Sequence, residues 1–577
     1  MTPAPTANRP VLAACSPSHR FALRRASTLA LLLLGACAQP GLRVDLAAKA
    51  PVLDGYGQAG LTITTLSAQA QAHFNQGLRQ AYAFNEAEAV RMFKAALAAD
   101  PVCAMCAWGV AWQLGPNINA PGRDHQAEAL RYADLARRNS DRASERERAW
   151  IDAMALRYGQ AAGQPVPAPM LAEVCAGAGQ KAAHPLDQAY ADHLHALLQR
   201  WPDDTDLLTL WAEAELVATR GDWWPVGGQP AARIGELARR LEAALALAPS
   251  HTGLNHYLIH TLDNSPTPGR ALAAADRLGT LAPASPHLVH MPSHIHVRVG
   301  QFAQATRENQ QALALDAALA ADLKRQQFEP SKDWRGHNLQ FAWFAALMEG
   351  RGDLALQLAR RSAERSGTAS HAWAELGRSQ PQLTLLRLER WDALLAEPLP
   401  TGQHGLARAL TGHARAIALL RRGQPAQARA LLADVTAGAA AVAQAHAGSS
   451  NEDRLLQGIA QTAVERLQAE LAMAEGRPAD ALAAQMRAAA QARRADNKEP
   501  PLLGAGARPA LGDMQLRAGQ AAAAELSFRE DLAAWPASGW ALRGLQRALA
   551  AQGRTAEAQV VALELTSAWP RADAALR

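Results

Sequence analysis

The chain has 577 residues, enough for several ordinary domains or one long repeat array. Hydrophobic residues make up 49% but aromatics only 5%; Ala and Leu dominate and β-branched residues are scarce, a balance that favours helix over strand. The net charge of +5 falls to +1 once residues 1–36 are set aside, because they hold Arg9, Arg20, Arg24 and Arg25 and no acid. With no Lys/Arg stripe interleaved with aromatics, nucleic acid is not an expected partner.

In chain order, residues 1–36 read as a signal segment. Arg20, Arg24 and Arg25 form a basic start, and "STLALLLLGAC" is an apolar run too short to span a bilayer as a mature helix. Leu34-Gly35-Ala36-Cys37 resembles the lipobox of bacterial lipoproteins, in which the cysteine is acylated and becomes the new N-terminus. That resemblance implies a membrane anchor at Cys37, and Ala38 in the sorting position points to the outer membrane, facing the periplasm. The alternative is a plain secreted protein cleaved nearby. Residues 37–68 lack helical periodicity and read as a tether.

From about residue 69 the chain repeats. Pro249 and Pro283 are 34 residues apart, as are Gly519 and Gly553, and Pro536 and Pro570. That is the tetratricopeptide (TPR) period, two antiparallel helices per unit. In "HFNQGLRQAYAFNEAEAVRMFKAALAADP", Gly77, Ala89, Phe93, Ala96 and Pro101 fall where such a unit needs small residues, an aromatic and a helix stop. The expected fold is an all-α TPR-type superhelical solenoid. Its main array runs over 69–495, and "DNKEPPLLGAGARP" sets off C-terminal repeats within 496–577. Two further loops interrupt it, "GPNINAPGRD" and "GDWWPVGGQP". Trp223 and Trp224 in the second either cap a pocket or fill a packing gap. "CAMC" at 103–106 opens a helix without a βαβ setting. It can form a local disulfide, supply thiolates to a metal or pack as small apolar residues, and packing is the expectation.

The chemistry concentrates in "NHYLIHTLDNSPTP" and "HLVHMPSHIH". His256 and His260 are at i and i+4, His290 and His294 likewise, and the two pairs are offset by one 34-residue repeat. Residues at i and i+4 share a helix face, and equivalent helices of adjacent repeats pack side by side. Four imidazoles are therefore expected to converge within reach of one metal ion. His287 precedes the second pair and His337, with Asn338, opens a following helix, so both join the candidate ligands. Asp263, three residues after His260, is a ligand, an outer hydrogen-bond partner or a base. His296 is expected to face elsewhere. An imidazole-rich set suits Zn, Cu or Fe. The competing reading is a hydrogen-bonded core network of histidines.

At these residues the chain resembles a family of exported bacterial TPR proteins. The likeness rests on "HFNQGL…YAFNEAEA", "CAMCAWGVAWQLGPNIN", "NHYLIH…SPTPGRAL", "HLVHMPSHIHVRVG" and "FREDLAAWPASGWALRGLQRALAAQGR". It implies that His256, His260, His290 and His294 belong to a family signature, together with Asn117, Asn119 and His337, and with an acid where Asp263 stands. Where the family carries aromatic and proline residues after Glu-Pro-Pro, this chain has "LLGAGARP". The resemblance implies fold and export but no reaction. The expected function is a lipid-anchored solenoid that holds a partner protein or peptide in its concave groove and carries a transition-metal site. The rival is a metal-dependent hydrolase or oxidoreductase with Asp263 as base, and a third reading is an assembly scaffold without metal.

Overall fold

The computed structural model describes residues 48–576 except 121, 161–183, 222, 226–227, 331–333, 403 and 497–498. The signal segment, Cys37 and Cys175 lie outside the described residues. The protein is an all-α TPR-type solenoid of antiparallel helix pairs, in which each helix packs chiefly on its neighbours in sequence. Among the described residues no helix is long and apolar enough to cross a membrane.

The first unit shows why these residues fold this way. Ser67 caps the Ala68–Tyr82 helix by accepting from the Ala70 amide. The chain reverses at Phe84, which takes a positive φ, and returns as Glu86–Ala99. Phe93 is fully buried and lies against Gly77 of its own unit and Gly109 of the next helix, Ala104–Gln113. A Cβ at Gly77 would sit 2.6 Å from the ring, so only glycine permits this approach. The same device recurs near the C-terminus, where Phe528 lies against Gly512 and Gly544. Gly519 and Gly553, one repeat apart, both turn the chain with a φ of +75°.

Cys103 and Cys106 form a disulfide, which corrects the expectation that they pack as free thiols. Cys103 caps the Ala104–Gln113 helix, so both sulfurs fall on one turn with Cα atoms 5.3 Å apart, within bridging distance.

The segment expected as a free tether is docked over its described part. Residues 48–67 are non-helical, and Leu53, Tyr56, Leu61 and Ile63 are buried. Their backbone groups are met largely by side chains of the array. Val52 N donates to Gln326, Gln58 N to Thr252, Leu61 N to Asn75 and Thr64 N to Glu147, while the Gly55 carbonyl accepts from Ala284 N. The segment therefore straps the first unit to the histidine-bearing hairpins.

The C-terminal repeats also pack back on the array. Trp540 Nε1 donates to the Leu347 carbonyl at 2.9 Å and Trp569 Nε1 to Met348 at 2.8 Å. Both rings belong to the core built around the Arg335–Met348 and Gly352–Ser366 hairpin.

Candidate metal centre

The histidine pairs sit on the Thr252–Leu262 helix and on a helix broken into Pro286–His290 and Pro292–Arg298. His251 and Ser285 cap the two N-termini through the amides of Leu254 and Leu288. Pro292 follows the break and begins the second piece. His256, His260, His287, His290 and His294 are all buried, and His337 on Arg335–Met348 is half-buried.

The four imidazoles do not close on one point. With His287 and His337 the six rings form two trios, His256/His260/His287 and His290/His294/His337, and within each, one nitrogen per ring lies within 4.8 Å of the others. His256 Nε2 is 3.1 Å from Nε2 of both His260 and His287, and His290 Nε2 is 3.0 Å from that of His294. Each i, i+4 pair turns its nitrogens toward itself, because those positions share a face. His287, one turn before His290, reaches back to the upstream pair, and His337 completes the downstream one. The trios adjoin, with ring centroids 6.2 Å apart for His260 and His294 and 6.0 Å for His287 and His290.

The outer nitrogens decide what the inner ones present. His256 Nδ1 lies 2.7 Å from the Tyr82 carbonyl, which can only accept, so Nδ1 carries the proton. His290 Nδ1 donates to Asn309 Oδ1 at 2.6 Å, and Asn309 Nδ2 is committed to the Ala305 carbonyl. His294 Nδ1 donates to Asp263 Oδ2 at 2.9 Å. In neutral rings these three Nε2 lone pairs therefore point inward; where His294 also carries a proton on Nε2, it donates to His290 Nε2. Three nitrogens each about 2.1 Å from a tetrahedral ion lie roughly 3.4 Å apart, close to the spacing seen. Outer acceptors that fix the tautomer and ring orientation are the usual support of metal-binding histidines.

Asp263 stands behind His294 rather than among the inward nitrogens. Its Oδ2 faces His294 and its Oδ1 accepts from Arg298 Nε at 3.1 Å. Burial opposes its ionisation, but Arg298 and His294 prevail and hold its carboxyl well below the usual range. An acid so engaged positions His294. Glu499 was not foreseen. Its Oε2 lies 3.3 Å from His294 Nδ1, and its Oε1 meets Asn264 Nδ2. Burial and the Asp263 charge push its carboxyl upward.

Burial and neighbouring imidazoles push His260 and His290 well below the ordinary histidine range. Burial and His294 push His337 down to about 3. His294 goes the other way: burial opposes its charge, but Asp263 and Glu499 raise it to about 9. A proton on its Nε2 and a metal ion compete for one lone pair.

Aromatic rings seal the centre. Phe84 stacks on His260 and His287, Trp334 stacks on His287, and Phe341 lies against His290, His294 and His337. Trp223 is buried and edge-on to His260, and Trp224 Nε1 donates to the Thr261 carbonyl. His296 faces Glu308 and Asp276, away from both trios. Asn117 caps its own loop by accepting from the amides of Asn119 and Ala120.

No family model matches this sequence, and no curated protein matches it either. Solved structures similar to it include the yeast Tom70, at 12% identity over 86% of this chain and 99% of that one, with a TM-score of 0.31. The Cut9 and Hcn1 hetero-tetramer of the APC/C is similar at 14% identity over 83% of this chain and 76% of that one, with a TM-score of 0.31.

Proposed function

We propose that this protein is a metal-binding TPR solenoid whose two adjoining imidazole trios hold a pair of transition-metal ions. The observation that carries this reading is the gathering, in each trio, of one ring nitrogen from each of three imidazoles within 4.8 Å, with outer acceptors orienting His256, His290 and His294. In the metal-free chain a proton on His294 Nε2 is donated to His290 Nε2 at 3.0 Å, and a bound ion would take that proton's place. The all-imidazole trios suit Zn or Cu, while Asp263 and Glu499 beside the downstream trio extend the choice to Fe. The ions bound there would be Lewis acids or redox centres, and the neighbouring carboxylates would offset part of their charge.

The wider setting belongs to the same proposal. The signal-like N-terminus and Cys37 support a lipid-anchored protein of the cell envelope, on the outer membrane and facing the periplasm. A Cys103–Cys106 disulfide suits an oxidising compartment. The groove of the solenoid holds a protein or peptide partner, the commonest use of such arrays.

A second reading, a metal-dependent hydrolase or oxidoreductase at the same centre, is favoured by one observation. The Glu499 side chain is 23% exposed and its carboxyl is raised, so it can take up a proton beside His294 where Asp263 cannot.

Elemental analysis of the purified mature chain tests the proposal. Two equivalents of metal are expected in wild type and none in His256→Ala/His290→Ala. Equal metal content in the two, or none in wild type after growth and dialysis with Zn and Cu, sinks it.

A further inference from the structure

A second cluster lies away from the histidine centre, where the Ala372–Arg387, Gly405–Arg421 and Asn451–Ala474 helices meet residues 503–506. A cavity of about 40 Å³ opens there, lined by Arg387, His413, Thr462 and Arg466 among apolar side chains. No carboxylate lines it among the described residues. Arg387 Nε and Nη2 are buried in it without a hydrogen-bond partner, and so is His413 Nε2. His413 is only 2% exposed.

The Arg387 guanidinium is held in place by its face. It lies over the Trp540 ring, 4.5 Å from the centroid, and Trp540 is itself pinned through Nε1 to the Leu347 carbonyl. A face-on stack leaves the edge open, and the free atoms, Nε and Nη2, form the edge that grips two oxygens of one anion. The acids that act on Arg387 by charge have other engagements, Asp513 with Arg547 and Asp531 with Ser538. Burial and Arg466 push His413 down to about 3. A water needs roughly 10–15 Å³ on this measure, so the space matches three or four water-sized groups. That is the size of one small oxyanion.

We infer that this cavity binds a small oxyanion, a phosphate or a carboxylate head, gripped along the edge of Arg387 with His413 donating from Nε2. The bound anion would link three repeats to residues 503–506, the stretch that follows Glu499. The site is independent of the metal reading and does not share a residue with it.

The test uses the full mature chain, treated with chelator, in chloride buffer at fixed ionic strength. Isothermal titration with inorganic phosphate and, separately, with acetate is expected to show one saturable site for at least one of them. Preference for phosphate identifies a phosphoryl group, and comparable or tighter acetate binding identifies a carboxylate. Arg387→Met and His413→Leu are each expected to weaken binding at least tenfold. Circular dichroism checks that each variant folds, and if Arg387→Met does not, His413→Leu decides. No saturable binding of either anion to wild type, or unchanged affinity in the folded variants, overturns the inference.

Discussion

The C-terminal hairpins and the histidine-bearing hairpins use one backbone period for opposite purposes. In the former, Phe528 fills the contact between Gly512 and Gly544, so the interior is an apolar ring against bare backbone. In the latter, inner positions carry imidazoles that are 0–7% exposed. Buried polar groups cost several kcal/mol unless each finds a partner, so such an interior does not arise from packing alone. The regular hairpins show what the fold requires, and the departure from them is what the proposed metal centre would account for.

The largest effect that sharpens this contrast is on the apolar side. Phe528→Ala is expected to cost about 3–5 kcal/mol in the C-terminal hairpins, since the glycines around it cannot collapse to fill the hole. Hydrogen exchange should show that loss confined to residues near 507–568, because repeat arrays couple mainly between neighbours. Metal content should be unchanged. A fall in metal content would show that the two regions are not separable.

On the polar side the effect is smaller and of another kind. Asp263→Asn keeps a side chain of the same shape but removes the charge behind His294. Loss of such an outer partner is expected to weaken metal binding about 10–100-fold. Competition with a chromophoric chelator should find this at one of the two equivalents, the downstream trio, while the upstream trio oriented by the Tyr82 carbonyl keeps its affinity. Equal weakening at both would argue for one merged site.

Much of this arrangement was legible in the residues. The 34-residue spacing places Gly519 and Gly553 at equivalent turns, and the same offset relates His256 to His290 and His260 to His294. Local rules carry these because a helix face and a repeat period are both short-range properties. The division into two trios was not legible, because it depends on which way each nitrogen turns. Nor were Tyr82, Asn309, Phe341 and Glu499, whose partners come from distant elements: Tyr82 meets His256 across 174 positions and Glu499 meets Asn264 across 235. The curvature of the array brings these together, and no local pattern encodes it. Glu499 had one trace, the Glu-Pro-Pro that marks its loop. The docked strap at 48–67 was missed for a similar reason: non-helical chain has no helical periodicity whether it hangs free or is bound by side chains.

The smallest predicted effect separates a clustered histidine from a solitary one. His413 is buried away from the histidine centre, and burial followed by the Arg466 charge lowers it from 6.5 to about 3. Its folded value lies below its unfolded value, so the unfolded chain binds more protons as the pH falls. The stability it contributes is whole above pH 6.5 and is lost as the pH falls toward 3. One such group adds a slope of at most about 1.4 kcal/mol per pH unit in that window. Urea unfolding of the chelated chain in chloride buffer, at pH steps through the window, should give a shallower loss for His413→Leu than for wild type. The leucine fits the apolar lining from Leu410, Ile459 and Leu503 and has no proton to refuse. Parallel curves would mean that His413 is protonated in the folded chain. Adding phosphate offers a second check, because an anion beside His413 raises its folded value and flattens the wild-type curve toward that of the variant.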